Sequence, residues 1–133
     1  MASVSREIVI ESRPEEVWDV IRDFGSGPSR MAPGLVIDTR VEEDCRIVTF
    51  ATGVVVRERF VSVDETARRI VYSIIGESLQ PTHDNASMQV FADGEGRSRF
   101  VWIHDVLPDD LAAPLDSAMA QGLAVIKQTF ESS

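Results

Sequence analysis

Cysteine is almost missing from this chain of 133 residues. Cys45 stands alone, so no intramolecular disulfide framework can form and no cysteine pair offers the spacing of a zinc site. It follows Glu42-Glu43-Asp44, whose acidic side chains disfavour a thiolate, and it reads as an incidental turn residue. Positive charge is also scarce. Thirteen Lys and Arg stand against 22 Asp and Glu, and the net charge of −9 with no basic stripe argues against a nucleic-acid partner. No polybasic patch marks a membrane surface, and no apolar run approaches the ~20 residues that span a bilayer, so no membrane insertion is expected. Met1 to Ile10 lacks the basic segment and long apolar stretch of a secretory leader, which predicts a cytoplasmic location. Catalytic motifs are missing too. There is no nucleophile elbow, phosphate-binding glycine loop, metal-binding His pair or Cys/His nucleophile arrangement, and Gly94-Glu95-Gly96 belongs to a hairpin turn. Neither a metal nor a cofactor is implied.

What remains is an ordinary globular composition, 44% hydrophobic and 26% charged. Ser3 to Ser12 alternates as a strand, with Ile8 and Ile10 on one face. Ser12 then reads as an N-cap, Pro14 suits a first helical turn, and Glu15 and Glu16 favour the positive end of the helix dipole. Val17, Trp18, Val20, Ile21 and Phe24 form its apolar stripe, Gly25 to Pro28 ends it, and a short irregular or helical piece runs to Pro33-Gly34. Strand-like runs follow at Leu35 to Glu42, Arg46 to Thr52, Val54 to Val63, Arg69 to Ile75, Thr82 to Ala92 and Arg97 to Leu107. Short turns between consecutive strands predict an antiparallel meander. After a turn at Asp109-Asp110, a helix from Ala113 or Pro114 carries a broad apolar face that includes Leu115, Met119, Leu123, Ile126 and Phe130, with Asp116, Gln121, Lys127, Gln128 and Glu131 opposite. No repeat or linker interrupts the chain, which reads as one domain over residues 1–133.

A sheet with one apolar face must cover it, and the long last helix is the main cover available. A strongly curved meander gripping that helix leaves volume between the two. Alternation places Ala86 and Met88 inward with Asp84 near the mouth, and groups Phe100, Trp102, His104 and Val106 on one face, assigned inward. The run Val54 to Val63 is ambiguous, because both of its faces carry valine.

The order of elements, with Pro14-Glu15-Glu16-Val17-Trp18-Asp19-Val20-Ile21, Arg57-Glu58-Arg59-Phe60, Arg69-Ile70-Val71-Tyr72-Ser73-Ile74 and Gly122-Leu123-Ala124-Val125-Ile126-Lys127, resembles the START-like helix-grip (SRPBCC) superfamily. Within it, the chain is similar to the bacterial polyketide cyclase/dehydrase and lipid-transport family. The resemblance implies an α+β helix-grip fold, a curved antiparallel β-sheet wrapped around a long C-terminal α-helix, with one or two short helices after the first strand. It also implies that Glu58 points into a cavity, as the matching position does in plant abscisic-acid receptors, and that Tyr72 and Ile74 point inward. The expected lining is therefore Ile37, Val48, Phe50, Val56, Glu58, Phe60, Tyr72, Ile74, Asp84, Ala86, Met88, Trp102 and His104, closed from the helix by Met119, Leu123 and Ile126. Plainer placements stay open at each polar member. Glu58 could pair with a neighbouring Arg in solvent, Tyr72 could be a core aromatic, His104 a structural histidine, and His83-Asp84 a surface turn. Three functions fit. One is a carrier or sensor of a hydrophobic small molecule. Another is a polyketide cyclase or dehydratase using Glu58 or His104 for proton transfer. The last is an interaction module, a homodimer through Val55, Val61 and Val63.

Overall fold

Alternating runs joined by short turns satisfy their backbone groups by pairing with their neighbours, and that rule builds most of this molecule. The computed structural model describes residues 1–132. Strand β1 (Ala2–Ile10) leads into helices α1 (Pro14–Ile21) and α2 (Gly27–Met31). Strands β2 (Val36–Glu42), β3 (Cys45–Phe50), β4 (Val55–Asp64), β5 (Arg69–Glu77), β6 (His83–Ala92) and β7 (Ser98–Leu107) follow, then a 3₁₀ turn (Asp109–Leu111) and helix α3 (Ala112–Glu131). The seven strands form one sheet in the order β1-β7-β6-β5-β4-β3-β2, antiparallel throughout. This is the helix-grip arrangement that the resemblance implied, with β1 and β2 as the two edges.

Three details differ from expectation. Ser12 does not cap α1; Arg13 occupies the cap position without a side-chain bond, while the Ser12 hydroxyl donates to Glu16 at 3.1 Å. Helix α1 stops at Ile21, so Phe24 lies beyond it, in the connection to α2. Cys45 is no turn residue. The turn is only Glu43-Asp44, with Glu43 in the left-handed region at φ 59°, and Cys45 is a buried member of β3 whose thiol is pushed up chiefly by burial.

Bulges interrupt the alternation. Val36 pairs with Phe50 and Asp38 with Thr49, so Ile37 is an extra residue in β2. In the β4–β5 ladder, Ile75 is extra between the Arg57 and Glu58 pairs, and Val61 is extra between the Phe60 and Ser62 pairs. Each insertion kinks the sheet and increases its twist, which helps it curl round the helix.

The position of α3 creates the cavity. Its polar side, expected to sit opposite the buried face, grips the edge strand β1. Arg6 makes a two-pronged ion pair with Asp116 at 2.6 and 3.1 Å, Lys127 donates to the Val9 carbonyl at 2.7 Å, and the Glu131 carboxylate accepts the Glu11 backbone N–H at 2.8 Å. Leu115, Met119, Leu123 and Ile126 are buried on its apolar side. Gly122 lets the helix approach β7, where a Cβ would lie 3.1 Å from the Trp102 ring. Held against the β1 side of the sheet, α3 makes no extensive backbone approach to β3, β4 or β5. That half of the concave face is left to side chains and open space.

Candidate ligand-binding site

The space is a cavity of about 440 Å³. Its floor is the concave face of the sheet, with Val48 and Phe50 from β3, Val56 from β4, Ile74 from β5, Met88 from β6 and Trp102 from β7. Met119, Gly122 and Ile126 of α3 form the roof. Pro28, Met31 and Ala32 of α2, with Leu35 and Val36 after it, make one side wall. Around the mouth stand Thr52 and Val54 of the β3–β4 turn, Ser78 and Leu79 after β5, and Ser117 and Gln121 of α3. Gly53, at φ +92°, turns the β3–β4 corner in a conformation that other residues rarely adopt.

Polar side chains form a band across this apolar floor, on two neighbouring rungs of the sheet. Arg46 pairs with Glu58 across β3 and β4, Tyr72 lies opposite Ala86 across β5 and β6, and Ala86 lies opposite His104 across β6 and β7. Arg46 is buried and donates through Nε to Glu58 Oε1 at 2.7 Å and through Nη1 to the Phe24 carbonyl at 3.1 Å. Its guanidinium also lies over the rings of Phe24 and Tyr72, 4.4 and 4.9 Å from their centroids. A buried ion pair costs desolvation on both sides, so such additional donors and ring faces are what make it tolerable. Tyr72 accepts a hydrogen bond from Trp102 Nε1 at 3.1 Å. Burial, and then the charge of Glu58, hold its phenol well above the usual range.

At the other end of the band, His104 Nδ1 lies 2.7 Å from Asp84 Oδ1. Asp84 is fixed in turn: Oδ2 accepts the Ile74 N–H at 2.8 Å, and its carbonyl accepts the Ser73 hydroxyl at 2.6 Å. An ionised carboxylate only accepts, so Nδ1 is the nitrogen that carries a hydrogen toward Asp84, and Nε2 is the nitrogen left for other partners. Nε2 has no partner among the described residues and is presented to the cavity. The second oxygen of Glu58 is presented in the same way.

Eleven of the sixteen expected residues lie on the cavity wall: Val48, Phe50, Val56, Glu58, Tyr72, Ile74, Met88, Trp102, His104, Met119 and Ile126. Ile37 does not, being the bulged residue and 62% exposed; Val36 takes the inward place. Phe60 packs edge-on against Phe24 at 5.4 Å and is 37% exposed, beyond the end that Phe24 and Arg46 close. Asp84 is not at the mouth. Its side chain is fully buried behind His104. Ala86 and Leu123 are buried next to the wall without lining it; Ala86 is too short to project past Tyr72 and His104, which pair on either side of it. Arg46 was missed, although it shares parity with Val48 and Phe50. Glu58 does pair with an Arg, as its plainer placement allowed, but the pair is buried and not in solvent. Asp105, next in sequence to His104, faces the other way and accepts from Ser3, so the partner of His104 comes from a neighbouring strand.

Residues 1–131 match the sequence profile of the family described as polyketide cyclase / dehydrase and lipid transport. The chain belongs to that family. Similar folds occur in an uncharacterized protein of Bacillus thuringiensis (22% identity, 97% of this chain and 98% of that one, TM-score 0.84). The protein XoxI of Bacillus cereus is similar too (22% identity, 98% and 96%, TM-score 0.86). The di-domain ARO/CYC BexL of the BE-7585A biosynthetic pathway matches at 15% identity over 99% of this chain and 46% of that one, with a TM-score of 0.73. No protein of curated function matches. Among the described residues of this polyketide cyclase / dehydrase and lipid-transport family member, no cluster of three or more His, Cys, Asp and Glu side chains could hold a metal ion, and no helix is long and apolar enough to cross a membrane.

Proposed function

We propose that this chain binds one hydrophobic small molecule between the sheet and α3 and holds it unchanged, as a carrier or sensor. The observation that carries this reading is the cavity of about 440 Å³, apolar on nearly every side and polar along one band of the floor. That combination suits a ligand with an apolar body and a few hydrogen-bonding groups. Val48, Val56, Ile74, Met88, Met119 and Ile126 would hold the body, while Glu58, Tyr72 and His104 would orient the polar groups. Native mass spectrometry of freshly purified protein tests it. A retained small molecule that dissociates on unfolding is expected. A bare polypeptide that also fails to take up a neutral hydrophobic dye sinks the proposal.

A second reading has its own support. His104 is oriented by Asp84 and offers Nε2 to the cavity, the arrangement of a general base whose tautomer is set by a carboxylate. In a cyclase or dehydratase acting on a polyketide-like substrate, it would remove a proton next to a carbonyl while the closed site limits side reactions. The likeness in fold to BexL, an ARO/CYC protein, fits this reading. The test is turnover of a short polyketone by the purified chain. If His104→Gln keeps wild-type turnover, His104 is not the base.

A further inference from the structure

We infer that the cavity selects neutral, hydroxyl-bearing ligands and rejects carboxylates, because its one permanent cation is already neutralised inside the wall. This deepens the binding reading and rests on it.

A fatty-acid carboxylate can enter an apolar cavity only if a buried cation is free to meet it. The ionisable side chains of the wall are Arg46, Glu58, Tyr72 and His104. Arg46 is held by Glu58 at 2.7 Å, and that pair sums to zero. His104 is held by Asp84, whose side chain is fully buried. With a neutral ring this second pair sums to minus one, and with a protonated ring to zero. In neither state does the wall carry net positive charge. The Tyr72 phenol remains neutral because burial and Glu58 both oppose its ionisation. The chain's net charge of −9 adds long-range repulsion of anions.

The unused polar atoms point to what is accepted. Glu58 offers its second oxygen as an acceptor, the Tyr72 hydroxyl has a hydrogen with no acceptor among the described residues, His104 offers Nε2, and Arg46 keeps Nη2 as a donor beside the Glu58 carboxylate that neutralises it. A hydroxyl group both donates and accepts, so it can serve the first two without bringing charge. A carboxylate can only accept and would face the Glu58 oxygen.

Displacement of a neutral dye by 1-decanol and by decanoate, matched in length and kept below micelle-forming concentrations, tests this in the full-length protein at pH 8. Decanol is expected to displace the dye at a concentration about tenfold or more below decanoate. Glu58→Gln leaves Arg46 unneutralised at nearly constant volume. It should raise decanoate affinity about tenfold, so that the preference for decanol over decanoate narrows or disappears. Equal affinity of the wild type for the two ligands overturns the charge selection and leaves the cavity reading standing. The wild-type comparison needs no variant, so it holds even if Glu58→Gln does not fold. Failure of dye, decanol and decanoate alike overturns the binding reading, and this inference with it.

Discussion

The Arg46–Glu58 pair should dominate the energetics of the site, and a double-mutant cycle measures it. The side chains are 2% and 9% exposed and 2.7 Å apart. Removing one partner strands the other's charge beside an apolar cavity, a change that costs about 3–5 kcal/mol at buried pairs. Arg46→Met should lie at the upper end of that range. It also deprives the Phe24 carbonyl of a donor and empties the space between the Phe24 and Tyr72 rings. Glu58→Leu should lie at the lower end, since the stranded guanidinium keeps the Phe24 carbonyl and both ring faces. The double variant removes both charges, and apolar replacement of a buried pair is often close to neutral. It should therefore be more stable than Arg46→Met alone, with a coupling energy of at least about 2 kcal/mol. Urea unfolding by tryptophan fluorescence, with free energies from linear extrapolation, supplies all four corners. If Arg46→Met costs less than about 1 kcal/mol, or the two losses simply add, the pair is solvated and the reasoning fails.

Three other outcomes follow. Gly122→Ala gains about 1 kcal/mol of helix propensity but drives a methyl to within 3.1 Å of the Trp102 ring, so a net loss of about 1 kcal/mol and a shifted tryptophan emission are expected; a more stable variant with unchanged emission would show that the ring gives way freely. The raised phenol of Tyr72 means that folding favours its neutral form, so this contribution is complete below the ordinary tyrosine value of about 10 and is lost as pH rises beyond it. Chemical denaturation at pH 9 and pH 11 should show that loss, and Tyr72→Phe should reduce it; identical pH slopes in the two proteins refute the assignment. The Glu65 carboxyl, which accepts from Arg22 and from Trp18 Nε1, is held below its usual range by those bonds. Its contribution is present above the ordinary carboxylate value and lost as pH falls through the lowered one, so Glu65→Gln should flatten the acid limb of the stability profile. An unchanged acid limb counts against it.

Much of the fold was legible because it rests on local chemistry. Turn residues mark the strand ends, Pro14 with Glu15 and Glu16 opens α1, and the apolar stripe from Leu115 to Ile126 marks the side of α3 that is buried. Parity also carried the β7 assignment, where Phe100, His104 and Val106 are buried on the face expected to point inward. The errors fall where periodicity breaks. A bulge at Ile37 turns that side chain outward, and Phe60, inward by parity, lies past the end of the cavity. No propensity announces an inserted residue; it becomes visible only when the partner strand fixes the register.

The sequence by itself determined the order of elements, the antiparallel meander and the burial of the last helix's apolar face, while the facing of Glu58 was open because both faces of its strand carry valine. Tertiary structure alone decided what each polar side chain meets. Arg46 reaches Glu58 from the next strand, and Asp84 reaches His104 from a neighbouring one, at separations of 12 and 20 residues. Such partners are joined through the register of the sheet, which no short window of sequence contains. Tertiary structure also decided that there is a cavity. Ties from Arg6 to Asp116 and from Lys127 to the Val9 carbonyl hold α3 on the β1 edge. The floor beneath β3, β4 and β5 stays uncovered for that reason.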